Sequence, residues 1–271
     1  MSDFMASEIP LSWYDGHCHF DFAALDDTRN SDWDLAQRLG LRGGIIPGVS
    51  RRLSEGLPQF ISQWPGWKAA VGLHPYWADE HTDADVAWLE QQLTLPSVVA
   101  VGECGMDRTL AREERLAVDL QWRWFEQQID LAEKFHLPLV LHVRGMHDDV
   151  AAELRRRSFT HGGLVHAFSG SLQQAGRWID QGFLLGVGGA MSHPGATRLR
   201  GTLAQLPLTS LLLETDAPDM RPAFLNRAVN SPVMIPLYGA ILASLQNVSL
   251  ASVAFQTQQN LYRIFPRFAS I

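Results

Sequence analysis

The chain has 271 residues, 46% of them hydrophobic and 19% charged, a balance that suits a protein with a sizeable core and argues against disorder. Its formal net charge of −7 argues against the broad basic face that grips long nucleic acids by their phosphates, and the one basic triplet, Arg155 to Arg157, ends an expected helix, where cations oppose the dipole. No apolar run approaches the ~20 residues of a membrane-spanning helix, the opening MSDFMASEIPLSW lacks the pattern of a secretory signal, and two cysteines, Cys18 and Cys104, make no disulfide framework, so a reducing cytoplasm and no membrane are expected.

In chain order, short apolar runs recur, each followed by a polar turn and an amphipathic stretch. The runs are Ser12–His19, Gly43–Val49, Lys68–His74, Ser97–Gly105, Leu137–Val143, Gly163–Phe168, Gly182–Gly188 and Ser210–Asp216. Each is apolar through most of its length, as parallel strands covered on both faces are. The clearest helical pattern is Leu110–His136, with Leu116, Leu120, Phe125, Ile129 and Ala132 at helical spacing; Ala84–Leu93 and Pro232–Gln246 behave similarly. No linker-like tract interrupts the series, so a single domain over 1–271 is expected. Strands alternating with helices at this length match a (β/α)8 TIM barrel. The competing doubly wound sheet usually opens with a glycine-rich phosphate loop after its first strand, and DGHCHFD is not one.

In a barrel, the C-terminal strand ends share one mouth, and there the polar residues collect. His17 and His19 close the first run and His74 the third. Glu103 lies near the end of the fourth, His142 ends the fifth, His166 is in the second half of the sixth and Asp216 ends the eighth. On a strand, residues two apart share a face, so His17 and His19 aim together into the mouth while Cys18 turns toward the helices. Paired imidazoles make a poor apolar core and a good half of a divalent-metal site. Cys104 likewise points away from whatever Glu103 faces, and both thiols are expected to be buried and not ligands. Taken singly, each position has a plainer role: His74 favours structural hydrogen bonding, and Glu103 or Asp216 could cap or pair. Taken together, they point to a site. His81, His136, His147, His161 and His193 fall in turns or helix ends and are expected to be solvated or capping.

These residues carry a resemblance to the TatD family of metal-dependent hydrolases and deoxyribonucleases, a branch of the amidohydrolase-like barrels. It runs nearly end to end through DGHCHFD (Asp15–Asp21), GLHP (Gly72–Pro75), VGECGMD (Val101–Asp107), LPLVLHVR (Leu137–Arg144), HAFSGS (His166–Ser171), LLLETDAP (Leu211–Pro218), NSP (Asn230–Pro232) and TQQNLYRIF (Thr257–Phe265). The resemblance implies two divalent cations: one held by His17, His19, Glu103 and Asp216, the other by His142 and His166 with Glu103 bridging. Mixed nitrogen and oxygen donors suit zinc, manganese, nickel or iron better than calcium, with magnesium added on family grounds. The segments HVRGMHDDV (His142–Val150) and DMRPAFLNRAVNSP (Asp219–Pro232) depart from the family pattern.

The implied chemistry is hydrolysis by a metal-activated water, with Asp216 exchanging the proton and Glu103 bridging. Arg144 and His74 are candidate substrate-binding residues, Arg144 as a phosphate clamp or equally as an ion-pair partner. Asp15 is expected to brace the histidines from below. Tyr76, Trp77 and Phe168 could stack a base, although ordinary packing is the plainer role for each. The expected activity is that of a phosphodiesterase, a deoxyribonuclease acting as a monomer on DNA ends or short oligonucleotides, which the acidic charge favours over long duplexes. The alternatives are a metal-dependent hydrolase of C–N or ester bonds in a small molecule and, less in keeping with intact ligand positions, a non-enzymatic scaffold.

Overall fold

Eight parallel strands pair in sequence order: β1 (Trp13–Asp15), β2 (Leu41–Pro47), β3 (Trp67–Val71), β4 (Val98–Asp107), β5 (Leu139–Arg144), β6 (Gly163–Val165), β7 (Phe183–Val187) and β8 (Leu211–Leu213). The structure, a computed structural model, describes residues 11–110 and 116–269. Just past the strand ends, the Gly16 N–H donates to the Leu213 carbonyl at 2.8 Å and the Asp216 N–H to the His17 carbonyl at 2.8 Å, which ties the first strand to the last. The result is the (β/α)8 TIM barrel expected from the run pattern.

The helices between and after the strands are α1 (Arg29–Arg38), α2 (Arg51–Ser54), α3 (Leu57–Ile61), α4 (Asp83–Gln92), α5 (Val118–Phe135), α6 (His147–Arg156), α7 (Leu172–Asp180), α8 (Thr197–Leu203), α9 (Ile235–Gln246), α10 (Leu250–Ile264) and α11 (Pro266–Ala269). The expected Leu110–His136 helix begins later, at Val118; residues 111–115 of that pattern, like residues 1–10 of the stretch read for a signal, lie outside the described residues. No single helix among the described residues is long and apolar enough to cross a membrane.

Strand alternation divides the core in two. Ile45, Ala70, Val140, Leu164, Leu184 and Leu212 form the barrel interior, closed at the N-terminal end of the strands by Leu261, Ile264, Phe265 and Phe268 from the end of the chain. Arg267 fastens this plug by donating to the carbonyls of Leu93 at 2.9 Å and Val98 at 3.0 Å, where β4 begins. The alternate residues, among them Ile46, Val71, Leu141, Val165 and Leu213, pack outward against the helices, and Cys18 and Cys104 lie in that layer as expected.

Six of the strands are shorter than their runs, three of them by half or more. β1, β6 and β8 have three residues each, because the ladder ends where the chain bends to present polar side chains at the mouth. An aromatic cluster steadies the loop after β1: Phe20 stacks on Trp67 with centroids 4.7 Å apart and packs edge-on to Trp64. Arg29 then donates to the carbonyls of Phe20 at 2.7 Å and Phe22 at 2.8 Å.

With the interior plug this tightly packed, Phe265→Ala should lower stability by about 3–5 kcal/mol, read as an earlier thermal or urea transition, because the side chain is fully buried. Metal content should not change, since the plug lies at the opposite end of the barrel from the mouth.

Candidate metal centre

Past the last rung of β1, the imidazoles of His17 and His19 turn toward β4 and β8. His17 Nε2 lies 3.3 Å from Glu103 Oε2 and 3.4 Å from Asp216 Oδ1, and His19 Nε2 lies 3.5 Å and 3.6 Å from the same two oxygens. Two nitrogens and two carboxylate oxygens therefore face one point. His17 is fully buried, and neither of its ring nitrogens has a hydrogen-bond partner. A divalent cation would accept that orphaned lone pair together with the two carboxylate oxygens, so the donor chemistry fits a metal.

Glu103 divides its two oxygens between groups. While Oε2 faces His17 and His19, Oε1 lies 3.1 Å from His142 Nδ1 and 3.3 Å from His74 Nε2. His74, Glu103 and His142 thus make a second set of possible ligands, and His17, His166 and Asp216 make a third. All six expected ligands converge on the mouth, with His166 lying nearer Asp216 and His17 than His142. Its Nε2 faces Asp216 Oδ2 at 3.6 Å and its ring stacks on His17 at 3.7 Å, whereas the His142 ring is 6.3 Å away. His74 occupies the place beside His142. Its Nδ1 accepts the Tyr76 N–H at 3.0 Å, so in the neutral ring Nε2 carries the proton and points it at Glu103.

Residues around the donors explain their placement. Glu214 Oε1 accepts from His166 Nδ1 at 3.0 Å and from the Ala167 N–H at 2.6 Å, which turns His166 Nε2 toward Asp216. Glu214 fits only because Gly186 has no side chain: a Cβ there would meet Glu214 Oε2 at 2.0 Å. Asp107 Oδ2 lies 3.0 Å from His142 Nε2, while its Oδ1 accepts from Thr109. Asp15 acts as the expected brace, though through the main chain: it accepts from the N–H groups of His17 at 3.2 Å and Thr215 at 2.9 Å and from the Thr215 hydroxyl at 2.6 Å.

Asp216 itself has φ +54, the left-handed region that costs a residue with a Cβ and persists only when the surroundings impose it. The Asp216 N–H bond to His17 and the clamp of Asn230 impose it here. Asn230 donates from its side chain to the Thr215 carbonyl at 2.8 Å and from its N–H to the Pro218 carbonyl at 2.8 Å.

Two glutamines on α5, two turns apart and on one face, clamp the loops that carry site residues. Gln128 holds both the N–H and the carbonyl of Leu73, one residue before His74, at 2.7 Å and 3.0 Å. Gln121 does the same for Asp107 at 2.8 Å and 3.1 Å. Gly72 admits the β3 loop against β4, since a Cβ there would meet the Glu103 carbonyl at 2.6 Å.

Among the remaining expectations, Arg144 is exposed, with its guanidinium 3.7 Å from Asp107, and does not line the cleft above the donors, so the ion-pair role describes it better than the clamp. His81 and His147, expected to be solvated or capping, are instead buried: His81 Nε2 lies 2.9 Å from the His74 carbonyl, and His147 accepts from the Trp178 indole at 3.2 Å. Phe168 is buried as packing, while Tyr76 and Trp77 line the cleft.

The charges sort by partner. Burial and the adjacent His166 hold His17 well below the usual imidazole range, and burial lowers His19 to about 4. For His166, burial is outweighed by Glu214 and Asp216, which push it up to about 10. Burial of His142 is likewise outweighed by Asp107 and Glu103, and its pKa rises. Burial alone would raise Glu103, but the imidazoles of His74 and His17 hold it well below the carboxylate range. Protonated imidazoles and divalent cations are thus competing ways to neutralise the same carboxylates.

The barrel and the convergent histidines and carboxylates at its mouth define a metal-dependent hydrolase. The profile of the family described as TatD related DNase matches residues 14–266. An uncharacterized metal-dependent hydrolase of Escherichia coli K12, YjjV, is 36% identical over 253 residues, covering 93% of this chain and 96% of that protein. The crystal structure of that E. coli K12 TatD homologue superposes with a TM-score of 0.87 at 34% identity, covering 95% of this chain and 99% of its own. A 3′-5′ ssDNA/RNA exonuclease TatD of Erwinia billingiae is 31% identical over 241 residues, 85% of this chain and 90% of that protein. The chain belongs to the TatD family.

Because His142 and His166 must give up protons to become ligands, metal affinity should rise with pH through the neutral range, and binding should release protons. Calorimetric titration with zinc or manganese in buffers of different ionisation enthalpy measures that release; affinity that stays flat with pH would contradict the charge assignment.

Proposed function

We propose that this chain is a divalent-metal-dependent phosphodiesterase that cleaves DNA at chain ends or in short single strands. The observation that carries the reading is the division of the Glu103 oxygens between two donor groups at the floor of one cleft. The name of the Erwinia relative, an exonuclease on single-stranded DNA and RNA, supports the same substrate class. The cleft, of about 260 Å³, is lined by His19, Phe22, His74, Tyr76, Trp77 and Asp219 among others, which suits a strand end better than a duplex. The acidic chain, at −7, offers little to a long polyanion beyond the site itself. Two buried free thiols fit a cytoplasmic setting.

We assign His17, His19, Glu103 and Asp216 to one cation, and Glu103, His142 and His166 to a second; zinc, manganese, nickel and magnesium are the metals to test. Bound there, such cations would supply an acidified water and polarise a phosphate oxygen. Asp216 faces the cleft, and burial, opposed by His166, pushes its carboxyl up to about 7, near the pH at which a group best accepts and returns a proton. In this role it takes the proton of the attacking water and delivers it to the oxygen released when the phosphorus–oxygen bond breaks. His74, at the cleft wall with its Nε2 proton toward Glu103, is the nearby candidate for contact with substrate. Glu214 keeps His166 from rotating away.

Purified protein loaded with each metal should shorten labelled single-stranded DNA, and Asp216→Asn should slow the reaction about 10²–10⁴-fold. Intact DNA with every metal, beside a working control nuclease, would contradict the proposal; turnover of amides or lactones in the same screen would transfer the site to C–N or ester hydrolysis in small molecules.

A further inference from the structure

Tyr76 and Trp77 set one wall of the cleft, and the mechanism above uses neither. Tyr76 is 47% exposed, although it lines the same cavity as Glu103, His142 and Asp216. Its position is tied to the metal centre. The Tyr76 N–H donates to His74 Nδ1 at 3.0 Å, the Trp77 N–H donates to the His74 carbonyl at 3.1 Å, and Pro75 stiffens the turn between them. The two rings brace each other edge to face at 4.9 Å, and Trp77 packs against the His74 ring at 5.6 Å. Phe22, stacked on His19 at 4.5 Å, adds a third aromatic to the lining. The exposed Tyr76 ring therefore offers the cleft an aromatic surface on which a flat partner can stack.

The charge balance says what that partner is. A protein of net charge −7 offers no overall positive field to a nucleic acid. Arg108 and Arg144, which follow Asp107 and His142 in the chain, lie beside Asp149 and Asp107 respectively. Uncharged contacts are then a ready source of affinity beyond the cations, and base stacking on an aromatic ring is the contact every nucleotide can make.

We infer that Tyr76, backed by Trp77, is a base-stacking subsite that seats the nucleobase next to the scissile phosphate and thereby selects unpaired strands. This rests on the phosphodiesterase reading and adds the specificity element to it. A base paired in a duplex keeps its faces covered by its neighbours and cannot lie on Tyr76, whereas an unpaired terminal base can. Binding through stacking and a few charges also predicts a shallow dependence of affinity on salt.

The test is a double-mutant cycle on the metal-loaded full chain, with binding read by fluorescence anisotropy. The probes are a short labelled oligothymidylate with hydrolysis-resistant phosphorothioate links and the same backbone carrying tetrahydrofuran sugars in place of nucleosides. Tyr76→Ala should weaken binding of the thymidylate about tenfold, and Tyr76→Phe, which keeps the ring, should restore it. Removing the bases should cost the wild type a similar factor, and combining Tyr76→Ala with the abasic strand should cost little more than either change alone. Losses that multiply, or a Tyr76→Ala variant that binds like the wild type, would overturn the subsite. Cleavage of an unmodified strand, measured in parallel, separates the two claims: cleavage with multiplying losses sinks the subsite alone, and a strand neither bound nor cleaved sinks the phosphodiesterase reading and the subsite with it.

Discussion

The mouth of this barrel is organised around one buried carboxylate. Glu103 is 2% exposed and has His17, His19, His74 and His142 within 3.5 Å. Taking such a charge out of water costs several kcal/mol unless opposite charge or hydrogen bonds replace the lost hydration. Asp216, Glu214 and Asp107 are buried close by, so the need is for several positive charges. Protonated His142 and His166 meet part of it. Neutral His17 and His19 cannot, and their lone pairs are what a cation would use. The same electrostatic demand therefore accounts for the neutral pair, the cationic pair and the fit to divalent metal.

Holding such groups together takes much of the surrounding structure. The chain leaves the ladder early at β1, β6 and β8, and the freed segments are fixed by single side chains: Asp15 and Asn230 on the loop bearing Asp216, and Gln121 and Gln128 on the loops after β4 and β3. Glycines matter at two close approaches: Gly72 lets its backbone lie against that of Gly102 and Glu103, and Gly186 leaves room for the Glu214 carboxylate. Arg227 ties the loop after β8 to α1 with two bonds of 3.0 Å to Asp32, which keeps the segment flanking Asp216 in register.

Much of this was legible in the sequence because the barrel encodes its strands as apolar runs and gathers their ends at one mouth. The spacing of His17 and His19 read correctly as a shared direction, and the alternation that sent Cys18 and Cys104 outward held as well. Glu214 and Asp107 escaped notice for different reasons. Glu214 carried a signal, since it precedes Asp216 by two residues and by the same alternation should share its side of the chain; it lay inside a run otherwise read as apolar. Asp107 lay beyond the expected end of its run at Gly105, and only the true length of β4 brings it beside His142. The grouping of His166 with Asp216 depends on the Glu214 contact, a tertiary pairing that spacing does not encode. His81 and His147 were misjudged because a position at a helix end or turn says nothing about what packs over it.

The central claim is that Glu103 joins two cation sites. Anomalous diffraction from crystals of the metal-loaded protein tests it most directly. The account predicts two ions per chain, both contacting Glu103, one of them also bound by His17 and His19. Ions bound elsewhere, or a mouth whose histidines and carboxylates hold none at saturating metal, would contradict it.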